Sequence, residues 1–194
     1  NIRDADYQFN LIDEYLKTNH FVDDATLIDI KKINEELNGR LPEDDVNRGV
    51  NWQVKKLEFD NMFSYGEGNI VDFTKLNGIV GLFAPNAQGK SSLLDTLSFC
   101  LFDRSSRAYK AINVLNNKKD WFSCKATLEV EGVEYFIERN AKKQSNGHVK
   151  VNVDFYTYDD ANEKVSLNGD QRRTTDVNIR KLIGTYDDFI MTAL

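Results

Sequence analysis

The segment Gly81–Asp95 constrains the fold of this chain more than any other. It reads Gly-Leu-Phe-Ala-Pro-Asn-Ala-Gln-Gly-Lys-Ser-Ser-Leu-Leu-Asp. The apolar run Gly78–Phe83 predicts a buried strand before the loop, and apolar residues at helical spacing predict a helix after it. These helical positions are Leu93, Leu94, Leu97, Leu101 and Phe102. A strand, a tight Gly-Lys-Ser loop and a helix in this order are typical of a phosphate-binding loop.

The chemistry of such a loop assigns roles to its residues. Backbone N–H groups and the helix dipole favour an anion at the helix N-terminus. Lys90 is expected to reach the β- and γ-phosphates, and the Ser91 hydroxyl to ligate Mg²⁺. Ala84 and Ala87 stand where glycine is common, so the backbone there must be right-handed or extended. The sequence therefore predicts a nucleotide site with Mg²⁺.

Charge and composition predict that the chain has two parts. Residues 1–50 carry 12 acidic and 6 basic side chains, whereas the remaining 144 residues carry 19 of each. Neither part has the basic balance of an autonomous nucleic-acid binder. Paired basic residues, among them Lys142/Lys143 and Arg172/Arg173, could form a local patch or simply solvated surface. No apolar run approaches the length of a membrane span, so no membrane partner is expected.

Residues 1–50 are predicted to form an acidic helical extension. Apolar side chains fall at helical spacing in two segments, and Thr26 with Asp29 resembles a capping box at the start of the second. The first residue is not Met, so we expect a piece of a longer chain and a possible tail of an upstream module; an accessory cap on the sheet is the alternative. Two unclustered cysteines indicate a reducing compartment, and hence a cytoplasmic location.

In residues 51–194, alternating apolar and polar side chains predict strands, and the last part of the chain is predicted to be helical. Alternation predicts strands at 52–59, 69–73, 122–131, 133–139, 148–158 and 163–167, a linker around 103–120, and helices at about 175–183 and 186–194. The fold class predicted is α/β, with a curved, mostly antiparallel sheet around the P-loop strand and helix.

Several motifs together resemble one family. They are Val54–Tyr65, Ala84–Asp95, Leu101-Phe-Asp-Arg104, Phe136-Ile-Glu-Arg139 and Leu182–Leu194. Their layout resembles the N-terminal lobe of a Rad50/SbcC-type ATPase head, from the SMC-like branch of the ABC ATPases. Among its members, the ATPase subunits of phage recombination endonucleases are the expected relatives. The resemblance covers about residues 52–194 and implies an ATP-binding half of a DNA double-strand-break repair and recombination ATPase.

The resemblance also implies site residues and partners. Asn86 through Ser92 would wrap the phosphates, and the loop Asn61–Tyr65 would lie near the base and ribose, where this chain has Phe63 in place of the Arg that the family often has. The residues so assigned are Asn86, Ala87, Gln88, Gly89, Lys90, Ser91, Ser92, Phe63 and Ser64. The implied partners are an Mre11-type nuclease, a second ATPase head and DNA.

The family's remaining catalytic parts are not expected within this chain. The chain stops just before the expected Q-loop, and neither a Walker B nor a signature motif is recognisable. No catalytic residue is therefore assigned, and this lobe alone is expected to turn nucleotide over very slowly or not at all. Two other classes remain open: a different P-loop enzyme, such as a nucleotide kinase or GTPase, and a non-catalytic scaffold with a decayed P-loop.

Overall fold

The computed structural model describes residues 5–20, 22–40, 51–86, 89–108 and 110–193. The chain divides into two compact units, residues 1–45 and 46–194. The first unit contains α1 (Ala5–Asn19) and α2 (Asp24–Arg40). Among its described residues, the second contains six strands, four further α-helices and one 3-10 helix (Phe73–Lys75). The predicted boundary at residue 50, and the origin of the extension, stay predictions.

The two helices of the first unit contact each other through polar groups. Asn38 Nδ2 donates to Gln8 Oε1 at 2.8 Å, and Lys31 Nζ lies 5.5 Å from the centre of the Phe9 ring. The predicted capping box at Thr26 is wrong. Helix α2 begins earlier, and Asp23 Oδ1 accepts the Thr26 backbone N–H at 2.7 Å. Asp23 is therefore the side chain that satisfies a free N–H of the first turn.

A six-stranded antiparallel sheet forms the frame of the second unit. Its strands are β1 (Trp52–Asp60), β2 (Asn69–Asp72), β3 (Trp121–Val130), β4 (Val133–Lys143), β5 (Val149–Tyr158) and β6 (Lys164–Ser166). Their order across the sheet is β2-β1-β3-β4-β5-β6, and every neighbouring pair is antiparallel. All the strands predicted outside the P-loop form. Positive φ angles at Glu131 and Gly132 make the β3–β4 turn tight, as a two-residue hairpin requires.

One face of this sheet packs against α3 (Lys90–Phe102) and α5 (Arg172–Ile183). Strand β3 alternates strictly, with its even-numbered residues from Phe122 to Val130 buried. Helix α3 follows the P-loop and is buried from Asp95 to Leu101. Each fully buried large apolar side chain contributes roughly 1.5–3 kcal/mol. The P-loop helix is therefore held in place along most of its length by this core.

The segment expected to be only a linker carries part of the core. It contains α4 (Ala111–Val114), and Val114 and Leu115 are buried. Leu115 forms a bridge with Met62, which is itself fully buried. The final helix, α6 (Tyr186–Ala193), follows a break at Gly184, as predicted.

The predicted buried P-loop strand does not form. Residues 78–83 pair with no strand among the described residues, and the side chains of Ile79 and Phe83 are 104% and 93% exposed. An apolar run is buried only where a partner strand or layer lies alongside it. The described part of the sheet ends at β2 and β6, and neither strand reaches this run.

Candidate nucleotide-binding site

Gly89 sets the turn between the P-loop and α3. It is the N-cap of the helix, with a left-handed φ of 84°. A Cβ at this position would lie 2.7 Å from Ser64 Oγ and 3.4 Å from the Tyr65 ring. The Tyr65 hydroxyl also donates to the Gly89 carbonyl at 3.0 Å. Glycine is thus required here both by backbone conformation and by the close approach of the 61–65 loop.

Lys90 is folded back over the loop. Its ammonium donates to the carbonyls of Ala84 at 2.5 Å and of Pro85 at 2.8 Å. These are neutral acceptors, so a phosphate would be a stronger partner for the same charge. The lysine is half-buried and already lies at the cleft described next. It can therefore exchange carbonyls for phosphate oxygens by moving its own side chain.

A cleft of about 360 Å³ lies at the N-terminus of α3. It is lined by Ser64, Asn86, Gly89, Lys90, Ser91, Ser92 and Arg107. Six of these seven are predicted site residues, and the fold brings them together from two separate segments. Ala87 and Gln88 lie outside the described residues, so the assignments made to them stay predictions.

Arg107 is the one lining residue that the sequence did not single out as a site residue. Its Nε lies 3.3 Å from Asp95 Oδ2, and the other oxygen of Asp95 accepts from the backbone N–H and the hydroxyl of Ser106. Asp95 is buried on α3, so it anchors the 103–108 segment beside this cleft. No local periodicity links position 107 to the P-loop, although the basic Arg104/Arg107 pair is visible in the sequence.

The loop 61–65 is held by the α4 region. Asn61 and Phe63 both have positive φ angles, and the Phe63 N–H donates to Val114 O at 2.6 Å. Ser64 reaches the cleft, whereas Phe63 packs against the apolar core and does not line the cleft. A contact between Phe63 and the base has no support in this arrangement and remains a prediction.

A second, basic cleft lies at one end of the sheet. Trp121, Lys142 and Lys150 are paired in register across β3, β4 and β5, so they project from the same face. They line a cleft of about 790 Å³ together with Lys143. The three lysines are exposed, and within the described ranges none has an ion-pair partner. Lysines directly opposite each other repel, and a bound polyanion would offset that repulsion.

Residues 56–191 match a known protein family. The family is AAA_23, described as an AAA domain. The chain belongs to this family. The match begins in β1 and ends in α6, so the AAA domain includes the sheet, the P-loop helix and both clefts.

Several curated proteins are similar to this chain over the AAA domain. An uncharacterized protein, R555, of Acanthamoeba polyphaga mimivirus is 40% identical over 73% of this chain. The SbcC component of the nuclease SbcCD of Bacillus subtilis is 26% identical over 69% of the chain, and the DNA double-strand break repair Rad50 ATPase of Sulfurisphaera tokodaii is 30% identical over 62%. The chain spans only 11–12% of the length of these relatives. The resemblance to an SMC/Rad50-like ATPase head of the ABC class is confirmed, and with it the α/β fold class.

The helices of the AAA domain and of the first unit are short or polar. Within the ranges that the structure describes, none has both the length and the apolar character needed to cross a bilayer.

Proposed function

We propose that this chain is the ATP- and Mg²⁺-binding half of an ATPase head that acts in DNA double-strand-break repair and recombination. The observation that carries the proposal is the position of Lys90, held by two loop carbonyls at a cleft whose other walls are hydroxyls, an amide and Arg107. Such a cleft has the donors that phosphates need and the positive end of a helix behind them.

The residues present fit a nucleotide phosphate and its metal. Because Gly89 has no Cβ, the backbone can turn close to Ser64 at the cleft. The exposed Ser91 hydroxyl can contact a hard cation. Lys90 would transfer its donors to the phosphates, and Arg107, oriented by Asp95, would add a second positive charge. Magnesium would supply charge neutralisation between the phosphate oxygens. The role proposed for this chain is binding; hydrolysis belongs to a complete head.

DNA is proposed as the substrate on two grounds. Two of the relatives are named for a nuclease and for double-strand-break repair. The basic cleft of Trp121, Lys142, Lys143 and Lys150 offers lysines for phosphates and an indole for stacking on a base. Replacing the three lysines with Gln should weaken DNA binding. It should also reduce the slope of log K against log salt concentration by about 0.7–0.9 for each phosphate contact that is lost. Unchanged binding and salt dependence would remove this cleft from the proposal.

The same relatives support a proposal for the partners, and the cysteines support one for the location. We propose an Mre11-type nuclease and a second ATPase head as partners of the full protein, and the cytoplasm as its compartment. Cys100 and Cys124 are free thiols in the core, and burial, with the Cys100 thiol beside it, raises the pKa of Cys124. A reducing compartment suits two such thiols. Co-purification of the full protein with an Mre11-type nuclease is the direct test of the first partner.

Calorimetry with Mg²⁺-ATP tests the nucleotide site. We expect the chain to bind ATP and Lys90→Ala to lose that binding, because Lys90 is the only lysine among the described residues that line this cleft. GTP is titrated alongside, since a preference for GTP would favour a GTPase. Absence of binding by the folded chain and by the full-length head would favour a structural P-loop.

A further inference from the structure

A third cleft, here called the arginine cleft, lies between the C-terminal end of α3 and one side of α5. Its volume is about 590 Å³, and it is separate from both clefts described above because it shares no lining residue with them. It is lined by Phe102, Asp103, Arg104, Arg172, Arg173, Asp176 and Arg180. Four arginines against two aspartates give it a positive balance, in a chain whose net charge is −6.

The two aspartates of the arginine cleft are already engaged. Asp103 pairs with Arg172, and Asp176 accepts from the fully buried Arg139 at 2.7 Å. Arg104 is also paired, 3.1 Å from Asp187. Arg173 and Arg180 are exposed, and neither has an ion-pair partner among the described residues. The positive balance of the cleft is therefore not neutralised by its own carboxylates.

Unsatisfied polar atoms concentrate around this cleft. Within the described ranges, four buried side-chain polar atoms have no hydrogen-bond partner, and three belong to Asp103, Arg139 and Arg172. Arg139 Nη1 and Asp103 Oδ1 lie 4.0 Å apart, so a small shift would pair them. Arg172 Nε is also without a partner, on a guanidinium whose Nη2 already pairs with Asp103.

The start of α5 adds a second electrostatic cost. Its first turn contains Arg172 and Arg173 and no acidic residue. Positive side chains at a helix N-terminus oppose the helix dipole, whereas a bound anion there would be stabilised by it. Arg180 lies two turns along the same face as Arg172 and Asp176, at i, i+4 and i+8, so it points to the same cleft.

We propose that the arginine cleft binds a phosphate group through Arg172, Arg173 and Arg180. A phosphate offers three or four oxygens to several guanidinium forks at once, whereas one carboxylate offers two. The two exposed arginines, which have no ion-pair partner among the described residues, would gain a counter-charge, and Arg172 would contribute through the exposed part of its side chain. This site is independent of the P-loop cleft, and the proposal does not rest on the nucleotide function.

The test monitors the arginine side chains directly by NMR. The protein carries Lys90→Ala, so that the P-loop cannot account for any phosphate binding. Pyrophosphate, a short oligothymidylate and a polyglutamate peptide are titrated separately, and the Nε–H signals of the arginines are followed. We expect the Arg172 signal to shift with at least one phosphate probe. Saturation by pyrophosphate alone would identify a small phosphate, and tighter, salt-sensitive binding of the oligonucleotide would identify a nucleic-acid backbone.

A double variant separates this cleft from general surface charge. Arg173→Gln with Arg180→Gln should weaken binding of the phosphate probe about tenfold or more, since two charge-assisted contacts are lost. Both arginines are exposed and unpaired, so the fold should be unaffected. The matched control, Lys32→Gln with Lys75→Gln, removes the same charge from exposed lysines elsewhere. An unmoved Arg172 signal, a double variant that binds like the control, or a preference for polyglutamate would overturn the proposal.

Discussion

Replacing Arg139 with Met should strongly destabilise the second unit. Arg139 is fully buried in β4 and caps the end of the P-loop helix: Nε donates to Cys100 O at 2.8 Å and Nη2 to Leu101 O at 3.3 Å. Nη2 also donates to Asp176 at 2.7 Å, which ties α3 to α5. Methionine fills similar space but leaves two helix carbonyls and a carboxylate without their donor.

The expected loss follows from these contacts. Hydrogen bonds to a charged group contribute about 1.5–3 kcal/mol each, and breaking a buried ion pair costs about 3–5 kcal/mol. These terms describe the same contacts and do not add. Asp176 retains 18% exposure and can recover some water. We therefore expect the free energy of unfolding to fall by about 3–5 kcal/mol, or a urea midpoint lower by about 2 M.

Tryptophan fluorescence in urea measures this loss in the relevant unit. Both tryptophans, Trp52 and Trp121, belong to residues 46–194, so unfolding of the first unit does not contribute. Lys125→Met is the matched control, because that lysine sits in the neighbouring strand and pairs with Glu138 while partly exposed. Its expected loss is below about 1 kcal/mol. If Arg139→Met costs no more than this control, the guanidinium does not hold the two helices together.

Two further predictions concern the P-loop and acid stability. Gly89→Ala should weaken Mg²⁺-ATP binding about tenfold or more, because the new Cβ would clash with Ser64. Gly132→Ala is the control, since Gly132 has the same φ of 84° but open space around it. Equal ATP affinity in the two variants would refute the steric argument. Burial alone would raise the pKa of Glu138, but its hydrogen bonds to Lys125 and a tyrosine outweigh burial and lower the pKa below 4.5. Its contribution to stability is therefore complete above about pH 4.5 and is lost as the pH falls through the lower folded-state pKa. Glu138→Gln should flatten the fall in urea midpoint below that pH, and an unchanged profile would contradict the assignment.

Much of the sheet could be predicted because its signals are local. Alternation of side chains identified the strands around Phe122–Val130, and Gly132 was the single residue left between the strands predicted at 122–131 and 133–139. Gly-Lys-Ser marked the start of α3. The burial of Arg139, in contrast, is shown only by the packed structure, in which the Cys100 carbonyl accepts its Nε–H.

Other features depend on partners distant in the chain. Arg107 reaches the phosphate cleft because Asp95 holds its segment, and Asp23, rather than Thr26, meets the free N–H of α2. The apolar run at 78–83 has the pattern of a buried strand, yet it is exposed because none of the described strands pairs with it.

The sequence by itself determined the six strands of the sheet and the start of the P-loop helix, because each depends on the conformational preferences of a few consecutive residues. The tertiary structure decided which of these elements are buried and which charged side chains meet. Burial and ion pairing require atoms from distant segments, as when Arg139, Asp103 and Arg172 converge at the arginine cleft. The residues adjacent to a given residue in the sequence give no information about those distant partners.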